Sequence, residues 1–138
     1  MAVLPKSPFL REEYRARLNR VLDYIEEHIG EELTLSELAD VAAFSKYHFH
    51  RMFAALLGET LFSFIQRVRL ERAAIFLCNQ PKKSVTGIAL ECGFSSPSVF
   101  SRVFRNRFGL SPSQWREGCG ELTQDSNQGQ TDRNGEQA

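Results

Sequence analysis

The chain has no apolar run near the ~18 residues that a membrane-spanning helix needs, and its N-terminus lacks the apolar stretch of a secretory signal. Cysteine is scarce. Cys78, Cys92 and Cys119 are odd in number and far apart, which fits neither a zinc pattern nor a disulfide framework. Cys78 and Cys92 fall in helical patterns and are expected to be small buried hydrophobes. Together these features suggest a reducing cytoplasm. Glycine and proline, at 9 and 5 of 138 residues, are too few for a disordered body. No Gly-rich phosphate loop, no serine with a partnered His and Asp, and no carboxylate pair in a plausible cleft is visible, so neither an enzyme nor a cofactor is expected. His48 and His50 are two apart, do not share a helix face and make no metal pair. Net charge is also missing, because 17 Lys and Arg balance 17 Asp and Glu. Taken alone, that argues against a nucleic-acid partner.

The distribution of charge argues the other way. Between positions 45 and 116 stand 11 basic residues: Lys46, Arg51, Arg67, Arg69, Arg72, Lys82, Lys83, Arg102, Arg105, Arg107 and Arg116. Against them stand only Glu59, Glu71 and Glu91. The other acids lie in residues 12–40 and in the tail. A neutral total hides a basic half that a polyanion would meet.

Apolar residues make up 42% of the chain, 11 of them Phe, enough for the core of one domain. Their spacing is helical. Residues 1–9 hold two Pro and read as a flexible arm. Leu18, Val21, Leu22, Ile25 and Ile29 form one stripe of a helix from about Leu10, with Gly30 placed to end it. Thr34 and Glu37 read as a capping box for a short helix. Ala43-Phe44-Ser45 is a tight break, and Ser45 can cap a helix that stops at Gly58. Thr60 can cap a longer helix, about 61–79, closed by Pro81. Ser84 starts another short helix, Gly93-Phe94-Ser95 is its turn, and Ser96-Pro97 starts a helix that ends at Gly109. Ser111-Pro112 starts a last helix that buries Trp115. Residues 118–138 are polar, carry net negative charge and are expected to be disordered.

The second half repeats the first. Leu38-Ala39 and Phe44-Ser45 match Ile88-Ala89 and Phe94-Ser95 at an offset of 50. One residue later, Phe49, Arg51, Phe53, Gly58 and Phe64 match Phe100, Arg102, Phe104, Gly109 and Trp115. Each copy holds an Arg between two Phe, with the rings on one helix face and the Arg on the other. Two short helices joined by a turn make a helix-turn-helix. The chain thus reads as all-α: two such subdomains (about 34–57 and 84–108) joined by a linker helix (61–79) within a domain of residues 10–117. The linker's roughly 18 residues span ~27 Å. With the flanking helices, that can meet the ~34 Å between adjacent major-groove faces of a duplex.

These motifs resemble the AraC/XylS family of bacterial transcription regulators over roughly residues 17–117. The signature-like part is Ile88-Ala89, Gly93-Phe94, Phe100-x-Arg102-x-Phe104-Arg105, Phe108-Gly109, Ser111-Pro112 and Trp115-Arg116. The resemblance implies a seven-helix bilobed domain, sequence-specific binding of double-stranded promoter DNA as a monomer, and control of transcription, often activation by contact with RNA polymerase. It implies base-reading positions Lys46, Tyr47, His50 and Arg51 in the first lobe, and Ser98, Ser101, Arg102 and Arg105 in the second. Pro97 and the small Ser side chains depart from many relatives and reach fewer base edges, so the second lobe is expected to rely more on backbone contacts. The chain resembles the stand-alone form of the family, or the N-terminal module of a longer regulator.

Plainer roles stand beside these. Arg51 and Arg102 can fork onto a guanine, or touch only phosphate or a neighbouring Glu. Tyr47 can pack on a thymine methyl or sugar, or be a partly exposed core aromatic. Lys82-Lys83 can touch phosphate or be a solvated loop pair. The Phe stripes have core spacing, which excludes a stacking platform for single strands. A helical protein-interaction adaptor with a basic docking face is the rival to a DNA reader. It would show no preference for one duplex over another as salt rises.

Overall fold

A computed structural model of the protein describes residues 5–119. Among these residues there are seven helices and no strand: α1 (Pro8–Glu27), α2 (Leu35–Ala42), α3 (Lys46–Leu57), α4 (Leu61–Asn79), α5 (Val85–Glu91), α6 (Pro97–Phe108) and α7, residues 112–119. No described helix is long and apolar enough to cross a membrane. The chain divides into two units, Met1–Arg69 and Leu70–Ala138, with α4 beginning in the first and ending in the second.

Every helix starts on a Ser or Thr. The side chains of Ser7, Thr34, Ser45, Thr60, Ser84, Ser96 and Ser111 each accept from the amide three residues on, at 2.9–3.4 Å. Each such cap is worth ~1 kcal/mol. At α7 the cap is reciprocal, because Gln114 Oε1 accepts from the Ser111 amide at 2.9 Å.

In the first unit, the α1 stripe of Leu18, Val21 and Ile25 packs with Leu38, Ala39 and Ala42 of α2, Phe49, Met52 and Phe53 of α3, and Leu61 and Ile65 of α4. In the second unit, Leu70, Ala73, Ala74 and Leu77 of α4 take the place that α1 holds in the first. They pack with Ile88 and Ala89 of α5, Cys92 and Phe94 of the turn, and Phe100 and Phe104 of α6. The repeat extends to ring contacts. Phe53 meets Phe64 edge-on at 5.5 Å, and Phe104 meets Trp115 edge-on at 5.8 Å.

Several expectations need correction. The arm expected over residues 1–9 does not extend to residue 9, because Ser7 caps α1 and Pro8 occupies its first turn, where its missing N–H costs nothing; residues 1–4 lie outside the described residues. Gly30 does not end α1; the helix stops at Glu27, with His28 as its C-cap. The capping box at α2 is half formed. Thr34 accepts from the Glu37 amide, but the Glu37 carboxylate accepts from the Tyr24 hydroxyl and so ties α2 to α1. Cys92 is buried, but Cys78 is exposed and bonded to Cys119, with Cα atoms 5.5 Å apart. The pairing is tertiary: α7 folds back along α4 and brings together residues separated by 41 positions. Gly118 and Cys119 belong to α7 rather than to the polar tail, and the rest of that tail lies outside the described residues.

Candidate nucleic-acid interface

The turn that aims α3 is built on Ala43, in the left-handed region at φ 62°. Its amide closes back onto Ala39 and Asp40. Its carbonyl accepts from Arg17 Nη1 of α1 at 3.2 Å, and the Arg17 guanidinium lies 4.7 Å from the centre of the Phe44 ring. The rings of Tyr14, Phe44 and His48 then meet edge-on or tilted, with centres 4.8–5.7 Å apart. His48 therefore faces α1, and the first residues of α3 are held by a brace of Tyr14, Arg17 and Phe44. No sequence pattern announced that brace, because Arg17 and Tyr14 reach Ala43 and His48 across 26 and 34 positions. In the second unit Gly93, at φ 101°, makes the corresponding turn.

With Phe49, Met52 and Phe53 buried, the opposite face of α3 presents Lys46, Tyr47 and His50 to solvent, with Arg51 half-buried beside them. Tyr47 is 70% exposed, which rules out a core role. Its hydroxyl accepts from Arg51 Nη1 at 2.6 Å, and the guanidinium carbon lies 5.3 Å from the ring centre. The two side chains form one unit on the helix surface, one turn apart.

In α6, Phe100 and Phe104 are buried while Ser98, Ser101, Arg102 and Arg105 are exposed along the opposite face. Val99, 40% exposed, stands at the edge of that face, a position not singled out from the sequence. Its signal was available: it is an apolar residue out of step with the Phe100–Phe104 stripe. Neither α3 nor α6 has an acid in its first turn. The positive ends of both helix dipoles are thus not neutralised by acidic side chains of their own first turns.

The basic half is less available than its composition suggests. Arg67 pairs with Glu59 at 2.5 Å, Lys83 with Glu91 at 2.6 Å and Arg107 with Glu71 at 3.3 Å. Arg69 donates to the Ile29 and Glu31 carbonyls in the loop after α1, and Arg116 donates to those of Leu77 and Gln80 at the end of α4. Arg116 is a guanidinium cap on the C-terminus of α4, where a cation suits the dipole, while Arg69 pins the loop that follows α1. Lys46, Arg102 and Arg105 have no ion-pair or hydrogen-bond partner among the described residues, and these three lie on the outward faces of α3 and α6.

A helix-turn-helix domain model matches residues 38–118. The probable transcriptional regulator LumQ of Photobacterium leiognathi is 35% identical over 102 residues, 72% of this chain and 41% of that protein. An HTH-type transcriptional regulator of Haemophilus influenzae is 40% identical over 101 residues, covering 73% of this chain and 34% of that protein. The first relatives matched extend well beyond the likeness, which spans 13% to 41% of their length. An AraC-type transcriptional regulator of Chromobacterium violaceum has a similar structure, with a TM-score of 0.70 and 31% identity, over 76% of this chain and 93% of that one. The DNA-binding domain of AdpA, solved in complex with a target DNA, is similar at a TM-score of 0.70 and 30% identity, over 74% of this chain and 91% of that one.

Proposed function

The chain belongs to the AraC-type helix-turn-helix family of transcriptional regulators, and from that premise we propose that it reads a double-stranded promoter site by inserting α3 and α6 into adjacent major-groove faces. The observation that carries the reading is the division of both helices into two faces. On each, the Phe face is buried and the opposite face is open and basic. A single-strand binder would need those rings on the surface.

The roles follow from side-chain chemistry. Arg51 and Arg102 fork onto guanine O6 and N7, worth ~1–3 kcal/mol of discrimination each. Tyr47 packs against a thymine methyl or sugar while its hydroxyl steers Arg51. Lys46 and His50 donate to phosphate or base edges. Ser98 and Ser101 donate at short range, and Arg105 reaches phosphate. With smaller side chains at its front, α6 contributes more to positioning than α3 and less to sequence choice. The chain acts as a monomer on the site in the cytoplasm, bound to the nucleoid, and activates by touching RNA polymerase.

The test is selection of duplexes from a random pool by the purified chain, repeated with Arg51→Ala. The expected result is one selected motif whose preference relaxes at a single base position in the variant, with affinity for random duplex nearly unchanged. A selected motif identical for both proteins would remove Arg51 from base reading. Failure to enrich any motif would favour the adaptor.

A further inference from the structure

We propose that Cys78 and Cys119 form a reversible oxidation site that clasps α7 onto α4 and so sets how firmly α6 is held. Cys78 lies on the last turn of α4 and Cys119 at the end of α7, with Cα atoms 5.5 Å apart, inside the range that a disulfide spans. The eight residues of α7 are too few to hold a helix unaided. They are fixed by the reciprocal cap at Ser111 and Gln114, and by side chains that run along α4. Trp115 Nε1 donates to the Ala74 carbonyl at 3.0 Å, and Arg116 donates to those of Leu77 and Gln80. The sulfur bridge comes next in this series, one turn after Trp115.

What α7 holds in turn is α6. The Trp115 ring lies 5.8 Å from Phe104 and 4.9 Å from Phe108, which form the inner face of α6. Loosening α7 therefore uncovers the back of α6, all within the second unit.

The exchange chemistry is accessible because Cys78 is exposed. A small disulfide such as oxidised glutathione accepts the electrons. The Cys78 thiolate attacks it, the reagent's S–S bond breaks, and one glutathione thiolate leaves a mixed disulfide behind. The Cys119 thiolate then attacks the Cys78 sulfur, closing the protein bond and releasing the second glutathione. Two electrons and two protons pass from the protein pair to the reagent. In a reducing cytoplasm the pair rests open and closes only when the thiol pool is oxidised. The consequence for duplex binding rests on the function proposed above for α6; the clasp itself does not.

The experiment equilibrates the full chain with mixtures of oxidised and reduced glutathione. It follows thiol alkylation by mass, hydrogen exchange over residues 112–119, and affinity for a selected duplex. Cys78 and Cys119 are expected to lose alkylation together and exchange over 112–119 to slow, while the oxidised chain binds about two- to five-fold tighter, as if α7 were docked for only part of the time when reduced. Cys78→Ser and Cys119→Ser should each abolish the slowed exchange and the tighter binding, and the remaining thiol should be found by mass either free or as a mixed disulfide with glutathione. If either thiol remains open to alkylation at full oxidation, or exchange is equal in both states, the proposal is overturned. Slowed exchange with unchanged duplex affinity overturns the link to α6. If exchange slows but neither state binds duplex, the clasp stands and the DNA reading fails.

Discussion

Replacing Ala43 by glycine should stabilise the protein, although the change removes a side chain and loosens the unfolded backbone. Ala43 sits at φ 62°, ψ 42°, where Cβ crowds the following carbonyl, at a cost of ~1–2 kcal/mol. Glycine relieves that strain. Against this, a glycine adds ~0.4–1 kcal/mol of backbone entropy to the unfolded chain. Ala43 is exposed, so little burial is lost. The balance favours Ala43→Gly by ~0.5–1 kcal/mol, a rise in melting temperature of roughly 2–8 °C for a unit of this size.

The repeat supplies the reverse experiment. Gly93 makes the equivalent turn at φ 101°, so Gly93→Ala should cost at least ~1 kcal/mol. Urea unfolding followed by circular dichroism reads the first change as a higher midpoint at constant slope. Trp115, the one tryptophan, reads the second from within the second unit. A neutral or destabilised Ala43→Gly protein would mean that the turn is not left-handed at Ala43, and the stated geometry of the brace on α3 would fall with it.

Phe53→Ala should destabilise by ~3–5 kcal/mol, since the side chain is fully buried between Phe49 and Phe64; a loss under ~1 kcal/mol on chemical unfolding would contradict that packing. Tyr47→Phe keeps the ring and removes the acceptor of Arg51, so affinity for random duplex should hold while preference at the Arg51-dependent base weakens; equal preference in both proteins would show that the 2.6 Å bond does not steer Arg51. Tyr24 has its pKa raised above 10.0, first by its hydrogen bond to Glu37, then by burial and the nearby carboxylates. The proton is bound more tightly in the folded state, so the stabilisation is complete below pH 10 and is lost as pH rises through the raised value. Melting temperature should therefore fall more steeply above pH 10 in the parent chain than in Tyr24→Phe, and parallel profiles would refute the coupling.

The elements set by neighbours in the chain were legible and those set by distant partners were not. The bounds of α4 follow from Thr60 and Pro81, and the repeated Phe faces follow from a period that one helix alone determines. Ala43 carries no sign of its left-handed turn, because alanine is also the best helix former. Glu37 has the spacing of a capping residue, but its carboxylate accepts from the Tyr24 hydroxyl of α1, 13 positions away. His48 was set apart from His50 by helix geometry, but its neighbour Tyr14 lies 34 positions away on α1 and could not be read from the sequence. The partner of Cys78 depended on where α7 lies against α4.

Charge shows the same limit with a measurable consequence. If all eleven basic residues between 45 and 116 met phosphate, the logarithm of affinity would fall against that of salt with a slope near −10, at ~0.9 per contact. Arg67, Lys83 and Arg107 are instead neutralised by glutamates, Arg69 holds the loop after α1 and Arg116 the end of α4. That leaves Lys46, Arg51, Arg72, Lys82, Arg102 and Arg105 with no carboxylate or carbonyl partner among the described residues, and an upper bound on the slope of about −5. Filter binding or anisotropy with a fixed duplex across a series of salt concentrations measures it. A slope of about −4 to −5 would mean that the internal pairs stay closed on DNA. A slope near −10 would mean that they open, and that the Arg69 and Arg116 bonds to backbone carbonyls yield when the duplex arrives. Lys83→Met separates the cases, because it should leave the slope unchanged if Glu91 keeps the ammonium, and lower it by about one if phosphate takes it.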